Sequence, residues 1–88
     1  MNKQVTVIDV RTREEFGGGH VAGSINIPLG ELAGHLPAIR DMAQPLILCC
    51  ASGGRSGQAA AFLKANGIDC SNGGSWLQVN ALNRSWQS

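Results

Sequence analysis

Leu46-Ile47-Leu48-Cys49-Cys50-Ala51-Ser52-Gly53-Gly54-Arg55-Ser56-Gly57-Gln58 is the stretch on which the reading of this chain turns. Leu46 to Cys49 is its most hydrophobic run, entered through Pro45, and predicts a buried strand. Cys50-Ala51-Ser52-Gly53-Gly54 then reads as a loop. Arg55 to Asn66, with alanines at 59–61, Phe62 and Leu63, reads as a helix stopped by Gly67. Glycines in such a strand–loop–helix unit let successive backbone N–H groups point into one concavity. The helix start adds the positive end of its dipole, and Arg55 adds a formal charge. A pocket of this kind stabilises a thiolate, lowers the cysteine pKa and holds an anionic group bonded to that sulfur. The other reading of the same residues is a buried, inert cysteine beside an ordinary βα turn. Strand side chains alternate faces, so the two sulfurs diverge. Cys50, at the strand end, faces the concavity, and Cys49 packs in the core.

Outward from this unit the pattern continues to alternate. Val5-Thr6-Val7-Ile8-Asp9-Val10 is a β-branched run and predicts a strand. Thr12 and Glu15 fit a capping box for a short helix that ends in Gly17-Gly18-Gly19. Ser24 to Ile27 is a second short strand, closed by Pro28. Leu29, Leu32, Leu36 and Ile39 share one helical face interrupted by Pro37, which predicts two short helices or a kink. Ile68-Asp69-Cys70 predicts a short strand, Asn72-Gly73-Gly74 a turn, and Ser75 caps a short last helix with Trp76, Leu77 and Val79. From Asn83 the tail is polar apart from Trp86 and is expected to fray. Strands alternating with helices imply an α/β domain: a small parallel sheet flanked by helices on both faces. The crevice of such a sheet lies at the carboxyl ends of its strands, where the loop after Cys49 falls.

Composition narrows the function classes. Eighty-eight residues form one domain, residues 1–88 with a core of about 5–80. The apolar fraction of 43% and charged fraction of 15% suit a globular chain. The net charge is +1 and the basic residues are scattered, which argues against nucleic acid and anionic membranes as partners. Three cysteines, without a C-x-x-C pair and far in sequence from His20 and His35, suit neither a disulfide scaffold nor a structural zinc site. There is no apolar run long enough for a membrane span, nor an apolar leader segment. A cytoplasmic monomer with free thiols is expected, with the periplasm open to a chain whose leader has been removed.

Two registers of the loop resemble known families. Cys49 and Arg55 are spaced C-x5-R, which resembles the phosphate loop of protein tyrosine phosphatases. That pattern wants His before the cysteine and Gly three residues after it, where this chain has Leu48 and Ser52. Cys50, Gly53, Arg55 and Ser56 read C-x-x-G-x-R-S, which resembles the active-site loop of rhodanese-type sulfurtransferases. Ile8-Asp9-Val10-Arg11 with Glu14-Glu15-Phe16 is similar to that family's opening I-D-V-R…E-E-F/Y. Gly19-His20-Val21-Ala22-Gly23-Ser24-Ile25-Asn26-Ile27-Pro28 is similar to its G-H-I-x-G-A-x-N-I-P. Gly73-Gly74-Ser75-Trp76 is similar to a compressed G-G-x-x-x-W. The match covers roughly residues 5–80, and the chain is most like the short single-domain, phage-shock type.

The resemblance implies a sulfurtransferase that moves a sulfane sulfur from thiosulfate or a persulfide donor, through a Cys50 persulfide, to cyanide, a thiol or a protein acceptor. It implies no metal and no organic cofactor. The N–H groups of Ala51, Ser52, Gly53, Gly54, Arg55 and Ser56 would bind the terminal sulfur. The loop from Cys50 to Arg55 has six residues, against seven in the related cell-cycle phosphatases, and six favours sulfur over phosphate. Many rhodaneses carry Arg or Lys where this chain has Ala51 and Ser52, so thiosulfate is expected to be a weaker donor than a persulfide. Arg55 is the only loop charge, and either enters the pocket or points away to organise the loop. The rival readings are a non-catalytic rhodanese-like binding module and a cysteine-dependent phosphatase.

The remaining polar residues have plain readings. Asp9 is a structural hydrogen-bonding group, with orientation of the loop as the alternative. Arg11 is expected to pair with Glu14 or Glu15, an interaction of little energy on its own. The resemblance makes His20 structural, with a general base as the alternative, and His35 lies on a solvated helix face. Cys70 is a small strand residue, with a resolving thiol as the alternative. Trp76 and Trp86 are packing groups, Trp76 at the pocket rim.

Overall fold

A computed structural model describes the backbone of residues 5–86 and the side chains of residues 5–83. Four strands, β1 (Thr6–Asp9), β2 (Ile25–Asn26), β3 (Leu46–Cys50) and β4 (Cys70–Ser75), pair in parallel in the order β2-β1-β3-β4. Among them run α1 (Arg13–Gly17), a 3-10 segment (Leu29–His35) continuing into α2 (Leu36–Arg40), then α3 (Gly54–Ala65) and α4 (Trp76–Trp86).

Strand alternation sorts the core into two layers. Ile8, Val10, Leu46, Leu48 and Cys50 join Ala59, Ala60 and Leu63 of α3, with Leu32 and Ile39, on one side. Val7, Ile47 and Cys49 meet Val21, and Trp76 and Val79 of α4, on the other. Helices therefore cover both faces. The sheet order reverses direction between β1 and β3, where Asp9 lies beside Cys49 and the crevice of a parallel sheet opens. Cys50 ends β3 at that point.

The last third of the chain departs from the sequence expectation. Asn72-Gly73-Gly74 is not a turn after a strand at Ile68–Cys70: β4 begins at Cys70 and runs through all three residues. Leu48 pairs with Asn72 and Cys49 with Gly74, so Gly73 is an extra residue in a bulge. A Cβ on Gly73 would lie 2.6 Å from Val79 Cγ2 and 2.7 Å from Ile47 Cγ2. These glycines permit close approach of strand and helix rather than a chain reversal. The last helix is also longer than expected. α4 continues to Trp86, and Asn83 is buried instead of belonging to a frayed tail. The Trp86 side chain lies outside the described residues.

Overpacking of this kind costs about 1–3 kcal/mol. Gly73→Ala is therefore expected to lower the unfolding free energy by that amount in a denaturant titration, whereas Gly34→Ala, with open space around the new methyl, is expected to be near neutral. Equal behaviour of the two variants would contradict the bulge packing.

Candidate active site

Cys50 sits between the last backbone bond of β3 and the first turn of α3, and only 1% of it is exposed. Gly53, whose N–H points back toward the strand end, takes φ +105°, a left-handed conformation that a side chain resists, as the chain enters α3. That N–H donates to Cys50 Sγ at 2.9 Å, and the Ser56 hydroxyl lies 3.4 Å from the same sulfur. Burial pushes the Cys50 thiol up. The Ser56 hydroxyl and the N–H groups of Ser56, Gly53 and Ser52 outweigh it and bring the thiol down to about 7.

Cys49 has the opposite fate. It is fully buried on the other side of the sheet, and burial, together with the Asp9 charge, pushes its thiol up to about 12. One strand thus places a thiol poised to ionise beside one that stays protonated. Cys70 is buried in the core with its thiol directed to the Ala60 carbonyl at 3.5 Å, and burial raises it as well.

Arg55 is the one expected site residue whose charge is turned aside. Its guanidinium forms a bidentate pair with Glu15, Nη1 to Oε1 at 2.8 Å and Nη2 to Oε2 at 3.0 Å. Glu15 also closes the expected capping box, accepting from the Thr12 N–H at 3.0 Å while its own N–H donates to Thr12 Oγ1. Arg55 holds the Glu15 carboxyl down to about 2. The loop is therefore tied to α1 through its only charged side chain.

The expected pairing of Arg11 with Glu14 or Glu15 is not what forms. Arg11 instead meets Asp9 two residues back, Nη2 to Oδ2 at 2.7 Å and Nε to Oδ1 at 3.0 Å, with both side chains nearly or wholly buried. Its Nη2 also donates to the Gly19 carbonyl at 2.7 Å, and its guanidinium lies 5.0 Å from the Trp76 ring centre. Glu15 is drawn to Arg55, and strand-end Asp9 needs a buried partner, so the local helix pairing loses. Trp76 belongs to this opposite layer, not to the rim around Cys50. His20 stacks on Phe16 at 3.7 Å and His35 is exposed, both as expected.

Sequence reasoning misses Asn72, because its neighbours read as a turn. From the bulge of β4 it donates to the Gly53 carbonyl at 3.0 Å and accepts from the Ser56 hydroxyl at 2.6 Å. A register signal for it exists only once β4 is known to pass the loop.

Comparison with known proteins agrees with this geometry. The family described as rhodanese-like domain matches residues 1–84. The chain is 43% identical over 65 residues to a Bacillus subtilis protein named uncharacterized protein YqhL, covering 74% of this chain and 51% of that protein. It thus spans about half the length of that relative. It is 34% identical over 84 residues to the thiosulfate sulfurtransferase GlpE of Shewanella oneidensis, covering 90% and 82% of the two chains. A rhodanese-related protein from Thermoplasma volcanium superposes with a TM-score of 0.76 at 34% identity, over 90% of this chain and 78% of that one. A structure described as rhodanese with anions from E. coli does so at 0.68 and 32%, over 85% and 91%.

The contrast between the cysteines sets a pH profile. Alkylation of the native protein is expected at Cys50 alone, with half-maximal rate near pH 7, read by mass mapping. A folded pKa of about 7 against an ordinary value of 9.0 means that the unfolded chain binds more protons between those limits. Stability relative to Cys50→Ser should then rise from pH 7 to 9 and fade below 7. A midpoint above 9, or labelling of Cys49 first, would contradict the assignment.

Proposed function

The chain belongs to the rhodanese-like domain family, and we propose that it is a sulfurtransferase working through a persulfide on Cys50. The observation that carries this reading is the convergence of the Gly53 N–H, at 2.9 Å, and the Ser52 and Ser56 donors on one sulfur. Donors held in place before reaction stabilise charge without reorganising.

In the first step the Cys50 thiolate attacks the outer sulfur of the donor. A sulfur–sulfur bond forms at Cys50 while the donor's own bond breaks. The donor's remainder, sulfite from thiosulfate or a thiolate from a persulfide, leaves with the electron pair. In the second step cyanide or an acceptor thiolate attacks the outer sulfur, and Cys50 departs as thiolate. The charge rests on sulfur beside the loop at the start and end of each step, so the same N–H groups serve both.

The charges around the loop favour one class of donor. Arg55 is engaged by Glu15, and Ala51 and Ser52 are neutral. A dianion has no free guanidinium to meet it, which supports low-molecular-weight or protein persulfides over thiosulfate. It argues equally against a phosphate dianion, which calls for a bidentate arginine. Relatives named thiosulfate sulfurtransferase, at 34–39% identity, support thiosulfate as a usable donor. All three thiols are free, which supports work in a reducing compartment such as the cytoplasm.

Intact-protein mass after exposure to each donor tests the reading. The protein is expected to gain one sulfur from both, faster from the persulfide, to lose it on adding cyanide, and to gain none as Cys50→Ser. No gain from either donor would favour a binding module. Turnover of an aryl phosphate would favour a phosphatase.

A further inference from the structure

Asn72 stands outside the loop, yet its amide spans it. Nδ2 donates to the Gly53 carbonyl at 3.0 Å, while Oδ1 accepts from the Ser56 hydroxyl at 2.6 Å and the Gly74 N–H at 3.0 Å. The surrounding backbone leaves room for this. A Cβ on Gly57 would come within 3.2 Å of Asn72 Nδ2, and a Cβ on Gly53 within 3.4 Å of Gly74 Cα. The first turn of α3 is bare where the amide passes.

The Ser56 hydroxyl has one proton and two acceptors, Asn72 Oδ1 at 2.6 Å and Cys50 Sγ at 3.4 Å. While Cys50 is a thiol, the nearer amide oxygen is the better acceptor. Once the sulfur is charged, it draws the proton, because hydrogen bonds to an ion are about twice as strong as neutral ones. Asn72 Oδ1 then still holds the Gly74 N–H, so the turn of the hydroxyl leaves no orphan.

We propose that Asn72 is a positioning residue for Cys50: it clamps Gly53 and competes with the sulfur for the single Ser56 proton, so that the hydroxyl turns as charge on the sulfur comes and goes. The inference rests on Cys50 as the reacting sulfur. Its step involves only the loss of the thiol proton to solvent and rotation of one hydroxyl. Among the described residues, the charged and titratable groups on the elements around the loop are Arg55 and Lys64 of α3, Arg13, Glu14 and Glu15 of α1, Asp9 of β1 with Arg11 just beyond it, Cys49 of β3 and Cys70 of β4. Arg55 pairs with Glu15, Asp9 with Arg11 and Arg13 with Glu31, and burial raises the Cys49 and Cys70 thiols; the side chain hydrogen-bonded to the Cys50 sulfur is that of Ser56, and Asn72 is bonded to it in turn.

Asn72→Asp tests this. The carboxylate binds the Ser56 proton more strongly and sets an oxygen against the Gly53 carbonyl. Ser71→Asp, one residue away on the opposite side of β4 and exposed like Asn72, carries the same charge without that reach. The rate of Cys50 alkylation against pH should shift up by about one unit in Asn72→Asp, an approximately fivefold loss of rate at pH 7 that nears tenfold well below it, and by much less in Ser71→Asp. Most of the Asn72→Asp shift should vanish in a Ser56→Ala background. Equal shifts from the two aspartates, or an undiminished shift without Ser56, would overturn the proposal. Should Asn72→Asp fail to unfold cooperatively, the side-chain amide resonances of Asn72 in the unaltered protein serve instead. They are expected to titrate with Cys50 and to be flat in Cys50→Ser, and flat resonances in both would overturn it. Alkylation needs no sulfur donor, so this outcome is separate from whether persulfide forms.

Discussion

A buried sulfur that must carry negative charge needs hydrogen-bond donors in place of water, and the architecture around Cys50 answers that need. Isolated ionised groups are costly to bury unless donors are provided. Here the donors are the Ser56 hydroxyl and the backbone N–H groups of the loop and the opening turn of α3. The rest of the crevice maintains that geometry. Arg55 and Glu15 tie the loop to α1, and the Gly73 bulge lets β4 lie close enough for Asn72 to hold the other side. The buried Asp9–Arg11 pair occupies the end of β1 on the opposite layer, beside Cys49.

The vicinal cysteines show how little chemistry resides in residue type. Strand alternation alone sends Cys50 toward the helix start and Cys49 toward the opposite core. Donors bring one thiol to about 7, and burial with a neighbouring carboxylate pushes the other to about 12. Selectivity for one sulfur follows from the sheet, without any difference in side chain. The Arg55–Glu15 pair makes a similar point. A loop arginine is read most naturally as an anion ligand, yet its bidentate partner is a carboxylate of the protein itself.

Much of this architecture is legible in the amino-acid sequence. The β-branched run at Val5–Val10 and the apolar run before Cys50 announce strands, and the capping box at Thr12 and Glu15 forms as expected. Parallel topology, helices on both faces and the divergence of Cys49 and Cys50 all follow from periodicity. The features that cannot be read this way depend on contacts between segments far apart in the chain. Gly73 reads as turn chemistry, and only its approach to Val79 and Ile47 explains a glycine inside a strand. Asn72 owes its role to the register that the bulge imposes. Glu15 is fully explained locally as a cap, so nothing in its neighbourhood signals a partner 40 positions away. Arg11 finds its carboxylate at the strand end behind it rather than on the helix ahead, because a buried charge competes harder for a partner than an exposed one.

Backbone amide resonances followed through a pH titration test the central claim most directly. If the loop holds a sulfur anion, the amide protons of Ser52, Gly53 and Ser56 move downfield together as Cys50 ionises, with one midpoint near 7, and do not move in Cys50→Ser. Amides that stay still through that range, or that move equally without the Cys50 sulfur, would contradict the account.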